Sequence, residues 1–121
     1  MRRHRDMEPE EAAAFIESEE DVRLLDVREP AEFQTAKIDG AVLATPQVVR
    51  DLLDNCPRHT PIVVYCHHGM RSLVFTFRLL QGGFTNVINL KGGIEEWSQR
   101  VDPTVPRYEI RYGSGIVVVR E

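Results

Sequence analysis

The fold of this chain is decided by the stretch Pro61-Ile62-Val63-Val64-Tyr65-Cys66-His67-His68-Gly69-Met70-Arg71-Ser72. Its first half is a short apolar run without alternation, which is typical of a strand buried on both faces of a parallel sheet. A short loop containing Gly69 follows, and a helical pattern begins at Arg71 or Ser72. This strand–loop–helix order predicts that the loop lies at the carboxyl edge of the sheet, where open α/β folds bind ligands.

Cys66 opens this loop, and its position predicts a reactive thiol. Backbone N–H groups of a tight loop, together with the positive end of the following helix, stabilise an anion. We therefore expect Cys66 to exist partly as the thiolate, the reactive form, with His67, His68 and Arg71 adding positive charge at the rim. The alternative is a small apolar residue that ends a core strand. The glycine-containing junction favours the reactive interpretation.

Composition narrows the class of protein. The chain has 121 residues, of which 42% are hydrophobic and 28% charged, as expected for one globular domain. Its net charge of -4 argues against general nucleic-acid binding. No apolar run approaches the length of a membrane span, and no apolar segment follows the basic N-terminus as in a signal peptide. We expect a cytoplasmic protein with no membrane partner.

Strands and helices alternate along the rest of the chain. The patterns predict helices over 9–19 and 94–100 and from Pro30 and Pro46, and strands over 22–27 and 87–90. Such alternation predicts an α/β fold with a mostly parallel sheet of about five strands and helices on both faces. We expect residues 1–7 to be a flexible start and residues 8–107 to form the domain.

The last segment, residues 108–121, predicts a C-terminal β-hairpin. Apolar residues alternate from Tyr108 to Tyr112, a glycine-containing turn follows at 113–115, and an apolar run covers Ile116 to Val119. A lone hairpin is marginal in water. We therefore expect this extension to pack on the domain or to pair with another chain, as in a homodimer.

Asp26 and Arg28 stand where the strand over 22–27 ends. Polar side chains at that edge would face Cys66 and wall the site. The spacing favours a simpler interpretation, because Arg28 and Glu32 lie four residues apart and such pairs form ion pairs at the start of a helix.

The loop and its neighbours resemble a known family, the rhodanese (sulfurtransferase) domain. Cys-His-His-Gly-Met-Arg-Ser after Ile-Val-Val-Tyr is similar to its active-site loop. Three further stretches agree in content and order: Leu25-Asp26-Val27-Arg28-Glu29 with Glu32-Phe33, Ile38-Asp39-Gly40-Ala41, and Asn89-Leu90-Lys91-Gly92-Gly93-Ile94-Glu95-Glu96-Trp97. The resemblance covers about residues 8 to 107. Lys37 stands where the family commonly has a histidine.

The resemblance implies a rhodanese-like three-layer fold and a sulfurtransferase. Cys66 would be the nucleophile, and the persulfide would be held by the loop residues His67, His68, Gly69, Met70, Arg71 and Ser72. The donor would be a small sulfur anion, thiosulfate or a polysulfide or persulfide, and the acceptor a thiol, cyanide or a protein. No cofactor is implied. The same family likeness places Gly92 and Gly93 near the cysteine loop, where they would permit a close approach.

Other chemistries remain as alternatives. Cysteine phosphatases and arsenate reductases of the related fold carry Cys-x5-Arg, whereas Cys66 and Arg71 give Cys-x4-Arg and a smaller cradle. A sulfur-relay or sulfane-sulfur-sensing module is the other alternative. Three consecutive residues from Cys66 do not wrap a tetrahedral metal ion, so no metal is expected. We do not expect Cys56 to be a resolving partner, because the intervening strand places it roughly 16 Å away.

Overall fold

The computed structural model describes residues 4–120, along which strands and helices alternate. The elements are β1 (Arg5–Met7), α1 (Pro9–Ser18), β2 (Arg23–Asp26), α2 (Pro30–Thr35), β3 (Val42–Leu43), α3 (Pro46–Asn55), β4 (Ile62–Tyr65), α4 (Met70–Gln81), β5 (Val87–Leu90), α5 (Gly93–Arg100), β6 (Arg107–Arg111) and β7 (Gly115–Arg120). β1 to β5 form one parallel sheet in the order β1-β5-β4-β2-β3. No helix within residues 4–120 is both long enough and apolar enough to cross a bilayer.

β4 lies at the centre of the sheet, between β2 and β5. All four of its residues are 0% exposed, which confirms the strand buried on both faces that its unbroken apolar run predicts. One apolar cluster contains Tyr65 and Trp97 and packs under α1 and α5. A second contains Val64 and Leu79 and packs under α3 and α4. The predicted α/β fold with helices on both faces is therefore confirmed.

The N-terminal segment differs from the expected flexible start. Residues 5–7 form β1, an edge strand in parallel register with β5, so the expectation is wrong for them. The backbone groups on the outer edge of β5 need partners, and the Lys91 N–H donates to the Met7 carbonyl at 2.9 Å. The Met7 side chain is buried in the core. Residues 1–3 lie outside the described part of the chain.

The C-terminal segment forms the predicted hairpin, with β6 and β7 antiparallel. It packs on its own domain: Tyr108 is only 2% exposed and belongs to the core cluster that contains Trp97. At the other end, the guanidinium of Arg120 donates to the carbonyl of Pro103 at 3.1 Å. The hairpin thereby gains the apolar support that an isolated hairpin lacks.

Candidate active site

Cys66 follows β4 directly. The loop that it opens ends at the N-terminus of α4, which begins at Met70. The Gly69 N–H donates to its Sγ at 3.0 Å, and the Ser72 N–H donates at 3.3 Å. Gly69 is the N-cap of α4 and has φ +100°, a left-handed conformation that brings its amide round to face the sulfur. The positive end of the helix and two oriented amides therefore stabilise a negative charge on this atom.

The cradle is supported from β5 by Asn89. The Ser72 hydroxyl lies 3.3 Å from Sγ and donates to Asn89 Oδ1 at 2.6 Å, while Asn89 Nδ2 donates to the Gly69 carbonyl at 3.4 Å. Asn89 is buried. Its only sequence signal is that it interrupts an otherwise apolar strand, Val87–Leu90. It holds both ends of the loop in place around the thiol.

The N-terminus of α5 docks against the other side of the cysteine loop. The Ile94 N–H donates to the Cys66 carbonyl at 2.9 Å, and the Glu95 N–H donates to the His67 carbonyl at 3.1 Å. A Cβ on Gly93 would lie 2.4 Å from the His67 carbonyl oxygen. The expected close approach at this glycine is confirmed, and only a residue without a side chain permits it.

Arg71 lies at the rim of the site, where its guanidinium forms an ion pair with Glu32. Its guanidinium donates to both carboxylate oxygens of Glu32, at 2.8 and 3.0 Å. Burial works to raise the pKa of Glu32, but the hydrogen bonds from Arg71 and Tyr108 outweigh it and hold that pKa at about 2. The pair joins α2 to α4 across the mouth of the site, a contact between residues far apart in the chain.

Asp26 and Arg28 lie behind the wall of the site and do not line its pocket. Both side chains are fully buried and pair with each other at 2.5 Å. The favoured Arg28–Glu32 ion pair is wrong, since the Arg28 guanidinium reaches only the backbone carbonyl of Glu32, at 3.4 Å. Asp26 is the nearer carboxylate because both residues sit at the end of β2. Arg28 also donates to the Tyr108 hydroxyl at 2.8 Å.

Tyr108 links the hairpin to the site. Its hydroxyl donates to Glu32 Oε2 at 2.7 Å, and its ring stacks on His67 at 4.1 Å between centroids. Burial lowers the pKa of His67, and the neighbouring His68 lowers it further. The buried His67 is therefore uncharged at physiological pH and forms part of the pocket wall. His68 is exposed beside it.

Cys66 forms the base of a pocket of about 750 Å³. Cys66 is only 1% exposed, and this pocket is a cavity that it lines. The lining residues come from the cysteine loop, α5 and the hairpin: Cys66, His67, His68, Met70, Arg71, Glu95, Arg107, Tyr108, Glu109, Ile110 and Val119. Of the predicted loop residues, Gly69 and Ser72 hold the sulfur, and the others form the wall and mouth.

Sequence reasoning missed Glu32 as the partner of Arg71, and it missed the hairpin residues of the wall. Arg107 pairs with Glu95 at 2.6 Å, which ties the start of β6 to α5 at the pocket. No local pattern marks these contacts, because they join segments that the folding of the chain brings together.

Comparison with known proteins agrees with this geometry. The model of the rhodanese-like domain family matches residues 8–100. The chain is 32% identical over 103 residues to the thiosulfate sulfurtransferase GlpE of Actinobacillus succinogenes, covering 85% of this chain and 92% of that protein. It is 30% identical over 102 residues to the probable adenylyltransferase/sulfurtransferase MoeZ of Mycobacterium tuberculosis. That match covers 83% of this chain and only 26% of the relative, so the chain spans about a quarter of its length.

A solved structure shows the same fold. The rhodanese-like domain protein from Staphylococcus aureus superposes with a TM-score of 0.66 over 77% of this chain and 90% of that chain, at 22% sequence identity. The separate hairpin, β6–β7, lies beyond the residues that the family model matches. From the match over residues 8–100 and the parallel sheet that carries the cysteine loop, we conclude that the chain belongs to the rhodanese-like domain family.

Proposed function

We propose that this protein is a sulfurtransferase that moves a sulfane sulfur from a donor to an acceptor through a persulfide on Cys66. The donor is thiosulfate, a polysulfide or a persulfide, and the acceptor is a thiol or cyanide. The observation that carries the proposal is the pair of amides, from Gly69 and Ser72, that point at Sγ. Donors arranged in this way stabilise a charged sulfur without reorganising during the reaction.

In the first half-reaction the Cys66 thiolate attacks the outer sulfur of the donor. An Sγ–S bond forms, the S–S bond of the donor breaks, and the electron pair leaves with sulfite or a thiolate. These leaving groups are already stable anions, so no general acid is needed. His67, which lines the pocket with Cys66, is buried and has a lowered pKa, so the mechanism asks no proton of it.

In the second half-reaction an acceptor thiolate or cyanide attacks the outer sulfur of the Cys66 persulfide. The S–S bond breaks towards Cys66, which recovers its thiolate, and the acceptor leaves as a persulfide or as thiocyanate. The terminal sulfur of the intermediate lies beyond Sγ, at the amide end of α4, where the helix dipole stabilises its negative charge. Such two-step exchange predicts ping-pong kinetics.

The phosphatase alternative has less support. A tetrahedral oxyanion needs an arginine free to hold its oxygens in the cradle. Arg71 is held by both oxygens of Glu32 instead. The short loop with two amides on one sulfur suits a smaller anion.

The proposal is tested by the mass of the intact protein after incubation with sulfane-sulfur donors. We expect a gain of one sulfur that reductant removes, and no gain in Cys66→Ser. Cys56→Ser is the matched control, because Cys56 is also a free, buried thiol but does not line the pocket of Cys66. A reductant-labile sulfur on Cys66→Ser, or none on the wild type with any donor, would reject the mechanism.

A further inference from the structure

The wall facing Cys66 is built largely by the C-terminal hairpin. The hairpin contributes Arg107, Tyr108, Glu109, Ile110 and Val119 to the pocket lining. All of these residues lie beyond residue 100, where the match to the family model ends. The family match therefore does not fix the chemistry of this wall, which bears on the donor that the cysteine meets.

The charges of the pocket are balanced inside its own lining and rim. Arg71 is held by Glu32, and Arg107 is held by Glu95 at 2.6 Å. Glu109 adds a further carboxylate to the lining, and its own partner is Arg111 outside it. A dianion such as thiosulfate would lose water on entering and would meet arginines that carboxylates already occupy. The amides of Gly69 and Ser72 both donate to one sulfur, so they stabilise a single negative charge.

Three exposed apolar side chains also line the pocket. Met70 from α4 is 72% exposed, Ile110 from β6 is 58% exposed and Val119 from β7 is 42% exposed. All three line the pocket. An organic group that lies against them removes apolar surface from water, whereas thiosulfate has no apolar group and gains nothing there.

We propose that this pocket selects an organic persulfide, R–S–SH with an uncharged and at least partly apolar R group, over thiosulfate as its sulfur donor. This inference rests on the proposed function and adds the substrate class. The Cys66 thiolate forms a bond to the terminal sulfur, the S–S bond of the donor breaks, and the electron pair leaves with R–S⁻. The proton on the transferred sulfur passes to solvent or to the leaving thiolate, and no oxidant is consumed.

The test compares kcat/KM for persulfidation of Cys66 by an alkyl hydropersulfide and by thiosulfate. The two donors differ in intrinsic reactivity, so the readout is the ratio of the two values across variants. In the wild type we expect the alkyl donor to be preferred.

Two variants should raise the thiosulfate-to-alkyl ratio of kcat/KM, one by favouring thiosulfate and the other by weakening the alkyl donor. Glu95→Gln releases the charge of Arg107 and should raise the thiosulfate-to-alkyl ratio about fivefold, the size of a partly exposed ion pair. Ile110→Ser should raise the same ratio by lowering kcat/KM for the alkyl donor. The control is Glu10→Gln, which removes a carboxylate from an exposed pair with Arg100 outside the pocket and should leave the ratio unchanged.

A wild type that prefers thiosulfate, or a ratio that neither pocket variant moves, would overturn the inference. Both outcomes are distinct from failure of the proposed function, in which Cys66 gains no sulfur from either donor. The three substituted side chains are all partly or largely exposed, so retained thermal unfolding midpoints establish that each variant is folded.

Discussion

Gly93 shows how one residue joins two elements at the site. It has φ +62°, and a Cβ placed on it would lie 2.4 Å from the His67 carbonyl oxygen and 2.5 Å from that of Cys66. Both contacts are with backbone, which cannot turn aside as a flexible side chain does. We predict that Gly93→Ala lowers the free energy of unfolding by more than about 3 kcal/mol, as measured by urea denaturation.

The matched control is Gly113→Ala in the hairpin turn. Gly113 also has a positive φ, +82°, but nothing lies within 4 Å of the position of its Cβ. This substitution should cost only the strain of the left-handed conformation, about 1 kcal/mol. Equal losses at the two positions would show that the close approach between α5 and the cysteine loop does not carry the effect.

At the scale of elements, one hydroxyl group of the hairpin contacts two buried charged groups beside the site. Tyr108 donates to Glu32 and accepts from Arg28, and both contacts are buried. We predict that Tyr108→Phe keeps the packing of the ring but lowers the free energy of unfolding by about 1–3 kcal/mol, because two buried charged groups lose a partner.

Tyr112→Phe supplies the comparison for that experiment. Tyr112 lies at the tip of the same hairpin with its side chain fully exposed. Removal of its hydroxyl should change the free energy of unfolding by less than about 0.5 kcal/mol. If thermal or urea unfolding did not separate the two variants, the buried hydroxyl of Tyr108 would not contribute to the attachment of the hairpin.

At the scale of the whole molecule, Glu32 ties α2, α4 and the hairpin together. Its pKa of about 2 in the folded protein lies below the ordinary value of 4.5. A depressed pKa stabilises the fold above the ordinary value, and this stability is lost as the pH falls towards the folded value. We expect this group to contribute about 2 kcal/mol that disappears between about pH 5 and pH 2, a figure reduced for the partial exposure of Arg71.

The measurement is urea unfolding across that pH range for the wild type and for Glu32→Gln. The variant should be less stable near neutral pH and should show a flatter decline on acidification. Glu20→Gln is the control, since Glu20 is an exposed carboxylate that should leave the profile unchanged. Parallel curves for wild type and Glu32→Gln would contradict the role given to the Arg71–Glu32 pair.

The prediction from sequence succeeded where the signal was local. The unbroken apolar run at 62–65 predicts the central strand, and α4 begins at Met70, one residue before the expected start. β5 was predicted at its observed bounds for the same reason. β1 and β3 were not located, because three and two residues are too few to show a period. They exist because the edges of a neighbouring strand need partners.

The sequence by itself determined the cysteine centre: a buried strand, a cysteine, a left-handed glycine and a helix N-terminus are consecutive, and their geometry depends on neighbours in the chain. The tertiary structure alone decided what surrounds that centre. Arg71 pairs with Glu32, 39 residues away, and Tyr108 reaches the same carboxylate from 76 residues away. Such partners are chosen by how the sheet, α2 and the hairpin pack, because an ion pair forms with whichever carboxylate folding brings within reach.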